Sequence, residues 1–128
     1  MIITRIFIAG SRDPVGEAEI TAKGLRGRDD LVTVTDEAAL AYCSKEGRGG
    51  LCTAKFNADL IVDHLEEVAR EAELTLGEAV LQNTDRRKHC HAGCDLDPSQ
   101  CLINDRVLFL KVRKPGRVRT GEELIARN

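Results

Sequence analysis

Hydrophobic and polar positions alternate over short stretches of this chain, and the alternation sets most of its predicted elements. In "MIITRIFIA" Ile2, Thr4, Ile6 and Ile8 share one face, and Ile3, Arg5 and Phe7 the other, which is the period of a β-strand. "GSRDPVG" is turn chemistry, with Asp13-Pro14 and a following Gly16. "EAEITAKGLRGRDD" holds a short strand before a glycine turn at Gly24 and Gly27, and "LVTVT" is a β-branched strand. A short helix is expected at 36–46: Thr35 or Asp36 can cap it, acids fill its first turn and Gly47 ends it. After the "GRGG" loop, "FNADLIVD" reads as extended. "HLEEVAREAEL" then places Leu65, Val68, Ala69 and Ala72 at helical spacing, predicting a short amphipathic helix. Strand patterning returns over 76–84 and again over 107–113, where Leu108, Leu110 and Val112 oppose Phe109, Lys111 and Arg113. "KPGR" fits a type II turn with Pro115 and Gly116 at its centre, and "RVRTGEELI" closes the chain. No internal repeat, low-complexity segment or linker divides it, so residues 1–128 are expected to form a single domain. Many short strands with Gly/Pro punctuation and one or two short helices predict a mainly β (mixed β/α) fold, a small β-barrel with helical decoration.

Composition narrows the choice of partners. The chain has 128 residues, 42% of them hydrophobic but only 3% aromatic, so its core must be built from Leu, Val, Ile and Ala. A formal charge of −2 argues against general electrostatic binding to nucleic acid or to an anionic membrane. No apolar run approaches the length that spans a bilayer, and the first residues lack the order of a signal peptide. The expected location is therefore the cytoplasm, where thiols stay reduced.

The candidate chemistry lies in "KHCHAGCDLDPSQCLIND", the connection between the two last-named strands. Five cysteines are an odd number, so a complete intrachain disulfide framework is excluded. Cys43 stands apart, on the apolar face of the predicted 36–46 helix, and is expected to be a small buried hydrophobe. The spacing Cys90-x3-Cys94-x6-Cys101 matches neither the paired knuckles of zinc ribbons nor the common ferredoxin patterns. Cys90 has a different appeal. Arg86, Arg87 and Lys88 lead directly into it, with His89 and His91 beside it, and nearby cations raise the thiolate fraction of a thiol. Such a site suits a nucleophile or a persulfide carrier. Cys52, in "GGLC", supplies a fourth thiol: if its loop meets the 88–105 loop, Cys52, Cys90, Cys94 and Cys101 form a Cys₄ set suited to zinc or an iron–sulfur cluster.

The C-terminal half, "LTLGEAVLQNTDRRKHCHAGC…CLINDRVLFLKVRKPGRVRTGEELI", resembles a MOSC domain, the molybdenum-cofactor sulfurase C-terminal module. The likeness is carried by Leu76-Gly77 through Thr84, Lys88 to Cys90, Phe109 to Val112, Gly116, and Val118 to Ile125. "CHAGC" followed by a further Cys resembles the compact stand-alone bacterial members. The N-terminal half agrees more loosely, through "EITAKGLRGRDDLVTVTDEAAL" and "GGLCTAKFNADLIVDHL". The chain departs from the family pattern at Arg28, where Asp is usual, at Asp59, where Asn is usual, and at His64, where Gly is usual. The resemblance implies a MOSC-like β-barrel and sulfur or molybdenum-cofactor (molybdopterin) chemistry. By position Cys90 is the sulfur carrier or reactive thiol, and Arg86, Arg87 and Lys88 hold an anionic pterin. A cysteine desulfurase or a molybdoenzyme maturation partner is the implied collaborator. Two alternatives stand beside the carrier: a cysteine-cluster metal-binding domain, and a small reductase component acting on N-hydroxylated substrates, as some members of the family are.

Overall fold

The alternating segments form β-strands in a computed structural model that describes residues 1–8, 13–25, 30–40, 58–84 and 107–127. The strands are β1 (Ile3–Ile6), β2 (Glu17–Ile20), β3 (Leu31–Asp36), β4 (Leu60–Val62), β5 (Glu73–Leu76), β6 (Ala79–Asn83), β7 (Leu108–Lys114), β8 (Gly116–Arg119) and β9 (Leu124–Arg127). Seven of them make one sheet in the order β1-β4-β3-β7-β6-β5-β9, and β2 pairs with β8 in a two-stranded sheet. The large sheet is antiparallel throughout except between β3 and β4. It curls until its two edges meet: Ile2 bridges Glu123, the Leu124 N–H donates to the Met1 carbonyl at 2.7 Å, and the Ile3 N–H donates to the Glu122 carbonyl at 2.9 Å. The expected mainly β, barrel-like architecture with little helix is what the chain adopts.

The interior is aliphatic, as the scarcity of aromatics requires. Val32, Val34, Leu74, Leu76, Leu81 and Leu110 are wholly buried, and Ile20 and Val118 bring the small sheet onto the same core. Each such side chain contributes about 1.5–3 kcal/mol by leaving water.

Four local expectations are corrected. Simple alternation in the first strand fails because of a bulge between Ile3 and Arg5: Ile3 pairs Val62 and Arg5 pairs Ile61, leaving Thr4 as the extra residue. Ile3 and Ile6, three apart, therefore both face the core, and Ile8 is exposed. The predicted 76–84 strand is broken at Gly77, whose φ of 58° opens a two-residue hairpin turn between Leu76 and Ala79; strand pairing extends back to Glu73. The 64–74 helix does not form, for reasons given below. Pro115-Gly116 is not a type II turn either. Gly116 begins β8 without a positive φ, and Pro115 is a one-residue corner between β7 and β8. In the β8–β9 connection the turn glycine is Gly121 (φ 93°), where the Glu122 N–H closes onto the Arg119 carbonyl at 3.2 Å.

Gly116 is required for another reason: a Cβ on it would lie 2.5 Å from the Ala79 backbone nitrogen and 2.9 Å from the Ala79 Cα. Neither backbone atom can move without shifting β6. Gly116→Ala is expected to cost about 1–3 kcal/mol of stability through overpacking, measured by urea unfolding.

Candidate functional site

β3, β4 and β6 finish, and β5 and β7 begin, at one end of the sheet. The connection that carries Cys90 departs from this end, after Thr84, and returns to it before Val107. Its base is clasped: both the N–H and the Oγ1 of Thr84 donate to the Phe109 carbonyl, at 3.1 and 2.8 Å. Cys90, Cys94, Cys101, Arg86, Arg87 and Lys88 all fall within 85–106 and lie outside the described residues, as do Cys43, Cys52 and Arg28 in their own segments. Among the described residues no group of three His, Cys, Asp or Glu side chains is placed to hold a metal.

The described part of this end is built around two buried polar side chains, Asp36 and Asn83. Asp36 ends β3, and residues 37–40 start the expected helix. Of the two candidate caps it is Asp36 that acts, its Oδ1 accepting the Ala39 N–H at 3.0 Å, the geometry of an N-cap. Its Oδ2 accepts the Leu65 N–H at 3.3 Å, so the same carboxylate holds the chain that leaves β4.

That chain, residues 63–72, covers most of the stretch expected to be helical, 64–74. It is instead an irregular strap from β4 to β5, with Leu65 and Val68 packed partly buried on the core and Ala72 buried. Asn83 explains the difference. Its Nδ2 donates to the Val68 and Ala69 carbonyls at 3.2 and 3.1 Å, taking acceptors that a helix would use internally. Its backbone N–H donates to the Ala72 carbonyl at 2.9 Å, and its own carbonyl accepts the Glu71 N–H at 3.0 Å. Glu71 is held at a φ of 63°, a left-handed conformation that ends any helical path. A helix this short is marginal alone, so tertiary bonds decide the outcome.

The two described departures from the family pattern are also placed. Asp59 is buried at 2% exposure, and its Oδ2 accepts the Thr33 N–H at 2.8 Å. Its own N–H donates to the Thr33 carbonyl, and its carbonyl accepts the Phe7 N–H. Its carboxylate therefore staples the start of β4 to β3. His64 is exposed, and its backbone N–H donates to Asp63 Oδ1 at 2.8 Å.

Sequence reasoning named Asp36 as a candidate cap but not as a tie to the chain after β4, and it overlooked Asn83. Asn83 left a signal, since it occupies an inward position of β6 in line with Ala79 and Leu81, where a polar residue must have bonding work.

With this geometry in view, the chain can be set beside known proteins. No protein-family model matches the sequence, and no curated protein matches it. Solved structures do. YiiM from Escherichia coli superimposes with a TM-score of 0.65 at 22% identity, over 100% of this chain and 71% of that one. YiiM from Geobacillus stearothermophilus gives 0.62 at 18% identity, over 99% and 73%. A crystal structure described as that of a hypothetical protein gives 0.66 at 22% identity, over 98% and 67%. YiiM proteins are MOSC-domain proteins. The fold of this chain is MOSC-like. The likeness extends across the N-terminal half, where the sequence motifs are loosest. Among the described residues no helix is long and apolar enough to cross a membrane.

The first residue of the strap carries a pH dependence. Asp63 Oδ1 accepts the Ile2 N–H at 2.8 Å as well as that of His64, and these bonds hold its carboxyl below the ordinary aspartate value. Because the folded pKa is depressed, the stabilisation is complete above the unfolded carboxylate range and is lost as pH falls through the lower folded value. Melting temperatures followed from about pH 6 to about pH 2 should fall less steeply in Asp63→Asn than in the parent chain.

Proposed function

We propose that this MOSC-like domain is a sulfur carrier whose reactive group is the Cys90 thiol. The observation that carries the reading is the clasped root of the 85–106 connection in a MOSC-like barrel. Thr84 fixes where that connection leaves the sheet, and after Asp85 come the cations Arg86, Arg87 and Lys88. A thiolate is the nucleophile in sulfur exchange, and adjacent cations favour it over the thiol. In the proposed step the Cys90 thiolate attacks the terminal sulfur of a persulfide on a cysteine desulfurase. A new S–S bond forms to Cys90, the donor S–S bond breaks, and the donor cysteine leaves as a thiolate. No net oxidation occurs. The recipient of the sulfur belongs to the class of molybdenum-cofactor maturation, with Arg86, Arg87 and Lys88 drawing in its anionic pterin.

Incubation with a cysteine desulfurase and cysteine is expected to add the mass of one sulfur atom to Cys90, reversibly by reductant. Cys90→Ser is expected to abolish the gain. Intact mass and peptide mapping decide it, and a parent chain that gains no sulfur on Cys90 defeats the reading.

The metal alternative rests on chain reach. Asp59, Thr33, Phe109 and Thr84 lie in one row across β4, β3, β7 and β6, which separates the root of the Cys52 segment from that of the Cys90 segment by three strand spacings, about 14 Å. The stretches from 52 to 58 and from 84 to 90 each extend to about 20 Å, so a Cys₄ set is within reach. Protein purified without oxygen is then expected to hold about one zinc, or iron with acid-labile sulfide, lost on Cys52→Ser. Folded metal-free protein would exclude it.

A further inference from the structure

Met1 is the chain's single methionine, and it lies where the barrel seam meets the start of the 63–72 strap. We infer that its thioether is a site of reversible oxidation by hydrogen peroxide, and that the sulfoxide loosens the joint between seam and strap. The inference does not depend on the carrier role of Cys90.

Three contacts meet on this one residue. Its carbonyl accepts the Leu124 N–H at 2.7 Å, part of the seam between β1 and β9. Its Sδ accepts the Glu66 N–H at 3.4 Å, which ties the strap just after Leu65. Its side chain packs half-buried on the aliphatic core. A thioether suits the last two tasks together, since it is an apolar filler and also a weak acceptor. Partial exposure opens the same sulfur to a small oxidant. In the oxidation a sulfur lone pair attacks one peroxide oxygen. An S–O bond forms, the O–O bond breaks, and the departing hydroxide takes up a proton to become water. Sulfur loses two electrons and the peroxide gains them. The product is polar where the thioether was apolar. A sulfoxide oxygen held against aliphatic neighbours costs free energy unless it meets a donor or water. The oxidised side chain is therefore drawn outward, and the Glu66 N–H loses its acceptor. The neighbouring ties survive: Asp63 and Ile2 keep their two reciprocal bonds, and the Leu65 N–H stays on Asp36. The loosening is thus confined to Glu66 and to the Met1–Leu124 end of the seam.

The test exposes the parent chain to hydrogen peroxide and then to dithiothreitol, which returns disulfides and sulfenic acids to thiols and leaves the sulfoxide in place. A chain made with norleucine in place of methionine is treated alike; it keeps the length of the side chain without an oxidisable sulfur. Peptide mass reads the gain of oxygen at Met1. Amide hydrogen exchange by NMR reads Glu66, Leu124 and Leu81, the last within β6 inside the large sheet. In the oxidised parent the Glu66 and Leu124 amides are expected to exchange about fivefold or more faster, beyond any change at Leu81. Methionine sulfoxide reductases should restore the original rates. The norleucine chain should not respond to peroxide. A Met1 that gains no oxygen, rates unchanged by its oxidation, equal acceleration at all three amides, or unfolding of the whole oxidised chain overturns the proposal. The same response in the norleucine chain overturns it too, because the cysteines would then be its source.

Discussion

The closure of the large sheet on itself is the constraint on which the rest of the structure depends. Its edges meet where β1 and β9 begin, at the Ile2–Glu123 bridge, and the bonds Ile3–Glu122 and Leu124–Met1 complete this short seam. An open sheet of this size would expose backbone donors and acceptors along two edges. It would also need a second layer of structure to cover its apolar face. A chain without Trp and with few other aromatics cannot build that cover from large rings. Curling lets small aliphatic side chains from opposite walls bury one another. The bulge in β1 serves the same end, because it turns both Ile3 and Ile6 inward just where the sheet must bend to close.

Closure leaves two ends to be finished, and they are finished differently. The β2–β8 sheet brings Ile20 and Val118 to the core, and Gly116 lets β8 approach the Ala79 backbone closely enough to do so. The end where β6 finishes is crossed by the 63–72 strap, which brings only Leu65, Val68 and Ala72 as apolar cover. Among the described residues this apolar cover is small, and hydrogen bonds from Asp36 and Asn83 hold the strap beside it. It is also the end from which the Cys90 connection departs. The polar bracing and the root of that connection therefore share one end of the sheet for a physical reason. A long polar connection cannot leave from the middle of an apolar core, and its roots need partners that water does not compete for.

Strand identity was legible in the sequence because β-structure here follows burial. Buried apolar residues recur at every second position in β3 (Val32, Val34), β5 (Leu74, Leu76) and β6 (Ala79, Leu81), and the pleat turns them to the core. What alternation could not reveal were the features set by distant atoms. The helical spacing of Leu65, Val68, Ala69 and Ala72 is real, but carbonyls 68 and 69 are claimed by Asn83 from another strand. Gly116 looked like turn chemistry beside Pro115, whereas its constraint comes from Ala79, which approaches it across the sheets. The candidate site divides along the same line. Its thiols and cations were legible as types at fixed spacings, and the bonds around its root were not: the inward position of Asn83 in β6 shows that it must bond, but not to which atoms.

The MOSC-like fold and the cysteine segment are separate observations, and the first speaks to architecture alone. The fold similarity spans the whole chain at 18–22% identity, and it would be the same if every cysteine were replaced. The cysteines, in turn, argue from thiol chemistry and neighbouring charge, which no barrel geometry supplies. Asp59 shows why the two must be kept apart. It stands where the family usually has Asn, yet its carboxylate is engaged by the Thr33 backbone N–H and is spent on joining β4 to β3. An amide oxygen at that position would accept the same bond. The departure is thus one that the barrel absorbs structurally. The chemistry particular to this chain is read from its side chains, above all in the 85–106 connection, where three cysteines follow three cations.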